Sequence, residues 1–63
     1  MEMLIKATSS FGTDERTIET DNFEKTLAEQ SQHYKDWGRM DRSLTAYASV
    51  VEDGEVTFFK QLA

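Results

Sequence analysis

Only one segment of this chain carries a helical pattern, and it lies between two stretches patterned as strands. A single helix covers one face of a sheet, so the other face must meet solvent or another molecule. The helix is expected over residues 22–37. It opens on Asp21 as N-cap with Glu24 three positions later, the spacing at which each side chain satisfies a free backbone N–H. At 100° per residue Phe23, Leu27, Gln30, Tyr34 and Trp37 form one narrow stripe, which marks the core face. Gly38 is expected to end the helix, because the residues after it lose the pattern. Gln30, at the centre of the stripe, needs either a partner from the sheet or loops or a helix seated off-centre.

Before the helix, residues 2–9 alternate Met3, Ile5 and Ala7 with Leu4, Lys6 and Thr8, the period of a strand, and residues 9–13 are turn-like. Residues 15–20 offer a second strand through Thr17, Ile18 and Thr20; if residues 14–20 form a loop instead, the order becomes βαββ. After the helix, residues 44–51 and 55–62 form a hairpin around Asp53-Gly54. A three-residue loop, Glu52-Asp53-Gly54, gathers Leu44, Ala46, Ala48, Val50, Val56, Phe58 and Leu62 on one side. It sets Tyr47 opposite Phe59, Ser49 opposite Thr57, Val51 opposite Glu55 and Thr45 opposite Gln61, and it keeps Glu52 from facing Glu55.

The expected fold is therefore α+β, ββαββ, with a four-stranded sheet and one helix in a single domain, residues 1–63. Two hairpins flanking one helix resemble the grasp-like arrangement of the immunoglobulin-binding domains of protein G. That resemblance implies a first and a last strand paired in parallel at the centre of the sheet, and it transfers no binding residue.

Composition narrows the functional classes. Sixty-three residues leave little room for an enclosed substrate cavity. Twelve Asp and Glu against seven Lys and Arg give a net charge of -5, which repels phosphate backbones, so direct nucleic-acid binding is not expected. Cysteine is absent, which removes disulfides, thiolate nucleophiles and thiolate metal sites. No run of about 18 apolar residues is present and no signal peptide is apparent, so a cytoplasmic protein without membrane contact is expected. The one histidine, His33, shares a helix flank with Glu29 and Asp36, a set without the further ligands that hold a metal tightly. No nucleophile and base pair up along the chain, and Gly12, Gly38 and Gly54 are isolated. The chain is therefore expected to be no enzyme and to carry no cofactor or metal.

Two surfaces remain as candidates for binding. Acidic residues concentrate in residues 14–24, through Asp14, Glu15, Glu19, Asp21 and Glu24, and again in Glu52, Asp53 and Glu55. They serve solubility and the helix N-terminus, or they form a patch that steers the protein onto a basic partner. Tyr47 and Phe59, with Val51 beside them, form an aromatic pair on the uncovered sheet face, which either stabilises that face or anchors a partner. The expectation is a protein-binding module, monomeric or homodimeric, acting as an inhibitor or accessory protein of the kind encoded by phages and mobile elements. A self-associating structural protein that uses the open face or an edge strand is the alternative.

Overall fold

The computed structural model describes residues 1–63 as β1 (Glu2–Ser9), β2 (Gly12–Glu19), α1 (Phe23–Met40), β3 (Thr45–Glu52) and β4 (Glu55–Gln61). The ββαββ order is as expected, and residues 14–19 belong to a full strand rather than a loop, with Thr20 just beyond its end. The four strands form one open sheet in the order β2-β1-β3-β4, and every neighbouring pair is antiparallel.

This order corrects the grasp-like expectation. The strand beside β1 at the sheet centre is β3, running antiparallel to it, and β4 is an edge. The composition of the two strands explains the choice. β3 presents Ala46, Ala48 and Val50 to the helix, all buried, whereas β4 turns Lys60 to that side. An ammonium in a central row would lose its water, while at the edge it reaches solvent. Because β2 and β3 both run opposite to β1, they are parallel to each other, and α1 is the crossover that parallel strands require.

The core lies between α1 and the sheet. Met3, Ile5 and Ala7 from β1, Ala46 and Ala48 from β3, and Leu44, Leu62 and Tyr34 are buried together. Phe23, Leu27 and Trp37 of the helical stripe pack against this cluster, and the Phe23 ring meets Phe58 edge-to-face at 4.8 Å. Gln30 finds its partner in the sheet. Arg16, on the helix-facing side of β2, donates to Gln30 Oε1 at 3.1 Å and to the Tyr34 hydroxyl at 2.8 Å. An inward-turned arginine on an edge strand also discourages further strand pairing there.

Both helix ends differ from expectation. The N-cap is Asn22, whose Oδ1 accepts from the Lys25 N–H at 3.1 Å, and Asp21 lies outside the helix. The helix also runs through Gly38 to Met40 and closes where the Asp41 N–H reaches the Trp37 carbonyl. Asp41 is the true stop. Its carboxylate accepts from the Ser43 hydroxyl and backbone and from the Ser10 hydroxyl. The Ser43 hydroxyl, then the Ser43 N–H, hold its pKa below the ordinary carboxylate value.

Gly38 therefore sits in a helix interior, where glycine is the least favourable residue after proline. A methyl group there would lie 3.8 Å from Ala63 Cβ and 4.0 Å from Leu44 Cδ2, ordinary contact distances. Gly38→Ala is expected to raise stability by about 0.5–1 kcal/mol, read as a higher urea midpoint at unchanged slope.

The β3–β4 register also departs from expectation. The loop is the two residues Asp53-Gly54, with φ of 51° and 80°, the left-handed pair of a type I′ turn. Glu52 therefore faces Glu55 directly and Val51 faces Val56. A bulge then shifts the ladder, so Val50 faces Phe58, Ser49 faces Phe59 and Tyr47 faces Gln61. The extra residue is Thr57, whose hydroxyl donates to the Val50 carbonyl. Leu44, Ala46, Ala48, Val50, Phe58 and Leu62 keep the expected side, but the bulge turns Val56 out to the opposite face.

Candidate functional site: the uncovered sheet face

Every second residue of each strand points away from α1, and register assembles these residues into rows. Thr17, Leu4, Ser49 and Phe59 form one row across β2, β1, β3 and β4, and Glu15, Lys6, Tyr47 and Gln61 form the next. Val51 and Val56 continue the face toward the β3–β4 turn. The apolar members stay accessible, with Leu4 at 38 %, Val51 at 51 %, Val56 at 62 % and Phe59 at 63 %. Tyr47 and Phe59 sit diagonally rather than directly opposite, and their rings still stack at 5.3 Å and 27°. Beside them Glu2, Leu4, Thr17 and Val51 line a shallow depression of about 170 Å³.

The acidic residues divide differently from their order in the chain. The β1–β2 turn and the β3–β4 turn lie at opposite ends of the sheet. Asp14 points to the helix side, where its carboxylate lies 4.0 Å from Arg16 Nε, and Glu15 pairs with Lys6 at 3.8 Å on the open face. The 14–24 segment is thus no single patch. The acidic end of the molecule is instead built from Glu52, Asp53 and Glu55 in the β3–β4 turn, with Glu2 and Glu19 brought beside it by β1 and β2. Glu19 is partly neutralised by the terminal amine of Met1 at 2.8 Å, whose pKa is raised chiefly by that hydrogen bond.

Leu4, Val56 and Glu2 belong to this surface and escaped sequence reasoning. Leu4 had a usable signal, since it alternates out of phase with Met3 and Ile5; Val56 had none, because its orientation depends on the bulge.

His33 lies on the other side of the molecule, edge-to-face with Tyr34 at 4.9 Å. Asp36 is engaged by Gln32 and Arg39, and no three potential metal ligands converge anywhere in the chain. No helix is long and apolar enough to cross a membrane. Comparison with known proteins returns no match among family models, curated proteins or solved structures.

Proposed function

We propose that this protein is a non-enzymatic binding module whose uncovered sheet face docks onto another protein and occludes its surface, as an inhibitor or accessory factor does. The observation that carries the reading is the apolar cluster of Leu4, Tyr47, Val51, Val56 and Phe59 on a face with no helix over it. Exposed aromatics in a group, edged by polar residues, are the residue types that dominate interface energetics. The neighbouring acidic end, Glu2, Glu52, Asp53 and Glu55, favours a partner whose contact surface is bordered by Lys and Arg.

A local feature supports a role for that end. Glu52 and Glu55 face each other directly across the tightest part of the hairpin, where like charges work against folding. Glu55→Lys is expected to stabilise the fold by about 0.2–1 kcal/mol while slowing association with the partner. The test is affinity capture from the native host's lysate, followed by association kinetics for wild type, Phe59→Ser and Glu55→Lys. Retention of the partner by Phe59→Ser would overturn the reading. A stable dimer in solution that dissociates on Phe59→Ser would move the assignment to self-association.

A further inference from the structure

The opposite side of β4 carries a second surface with the reverse charge. Three features meet there. β4 is an edge strand, so the main-chain groups on its outer side have no partner in the sheet. Between β4 and α1 runs an open groove of about 350 Å³, lined by Glu24, Leu27, Ala28, Ser31, Gln32, Lys35 and Lys60, so that two ammonium groups face a single carboxylate there. The Ser31 hydroxyl oxygen is shut off from solvent and has no hydrogen-bond partner.

Charge decides what this groove suits. Lys6, Arg16 and Arg39 are each matched to a carboxylate, whereas Lys25, Lys35, Arg42 and Lys60 form no ion pair, and of these four Lys35 and Lys60 line the groove. Two of the three unpaired ammonium groups, Lys35 and Lys60, therefore sit in the groove of a chain that is acidic overall. The other sheet edge is unsuited to pairing, because β2 is charged along its length and turns Arg16 inward. β4 instead contains Val56-Thr57-Phe58-Phe59, residues that favour strands, and beyond the bulge at Thr57 its ladder is regular.

We propose that the groove between α1 and the free edge of β4 receives an extended acidic segment of a partner protein by strand addition. The segment's main chain pairs with Phe58–Gln61, and its alternate side chains enter the groove, where carboxylates meet Lys35 and Lys60. The groove lies on the helix side of β4 and is lysine-rich where the uncovered face is bordered by acids. The two sites share β4, whose Phe59 and Gln61 side chains point to the uncovered face, but strand addition uses the main chain of β4 and does not depend on the reading of that face.

The probes are two capped hexapeptides, Ac-Val-Glu-Val-Glu-Val-Glu-NH2 and Ac-Val-Lys-Val-Lys-Val-Lys-NH2, titrated into the ¹⁵N-labelled protein. The Glu peptide is expected to bind saturably below about 1 mM, to shift and protect amides of Phe58–Gln61, and to bind about tenfold more tightly than the Lys peptide. The double variant Lys35→Glu/Lys60→Glu, whose changes lie at solvent-exposed positions, is expected to reverse that preference. Thr13→Ser, an exposed position on the far edge strand β2, should leave the titration unchanged. Equal binding of the two peptides, perturbation centred on Tyr47 and Leu4, or no saturation would overturn the proposal.

Discussion

Tyr34→Ala is expected to leave a chain that no longer folds cooperatively at 25 °C. A domain of 63 residues has about 3–9 kcal/mol of stability in total, and removing a fully buried aromatic ring costs about 3–5 kcal/mol. Tyr34 is 1 % exposed and is the one helix residue that is fully buried, so it joins α1 to the sheet more than any other side chain. Leu27, Phe23 and Trp37 are only half-buried and cannot replace that contact. Far-UV circular dichroism and a urea titration check the outcome. A cooperative transition with more than half the wild-type stability would contradict the central position given to this ring.

Tyr34→Phe separates the ring from its hydroxyl. The ring stays in place, and only the bond from Arg16 is lost, at a cost of about 0.5–1.5 kcal/mol, toward the lower end because the guanidinium can recover water. A folded Phe variant beside an unfolded Ala variant would assign the stability to packing.

Ala48→Leu is the second large effect, and it tests close approach instead of loss of volume. Ala7 and Ala46 face each other across β1 and β3, Ala48 faces Ile5, and all three alanines are buried on the floor beneath the helix. Small side chains let α1 sit low on the sheet. A leucine at Ala48 has to lift the helix or displace Ile5, which costs about 1–3 kcal/mol in a well-packed core. Thr45→Leu adds bulk on the solvent side of the same strand, where the expected change is within about 0.5 kcal/mol. Urea midpoints for the pair check the expectation. Equal midpoints would mean that the floor under α1 is not tightly packed.

Much of this architecture was legible in the residues because its signals are local. The alternation of Met3, Ile5 and Ala7 and the stripe from Phe23 to Trp37 each repeat within a few positions, so period alone separates strand from helix. The candidate face was partly legible for the same reason. Tyr47 and Phe59 had to point away from the residues that build the core, and their rings do meet there. Gly38 misled because a glycine after a helical stripe usually marks its end, whereas here the stop comes from Asp41, held by Ser10 and Ser43 from outside the helix.

By itself, then, the chain determined an α+β fold with strands on either side of one helix, the buried stripe of that helix, the site of the last turn at Asp53-Gly54 and the existence of one uncovered sheet face, while leaving open whether residues 14–20 form a strand. The tertiary structure decided which strand joins β1 at the centre, which partner satisfies Gln30, how the acidic residues divide between the two ends, and that Val56 belongs to the open face. Periodicity is carried by neighbours in sequence and reports which side of an element is apolar. Strand order and register are set by contacts between distant segments, and a single bulged residue such as Thr57 reverses the side on which the residues beyond it emerge.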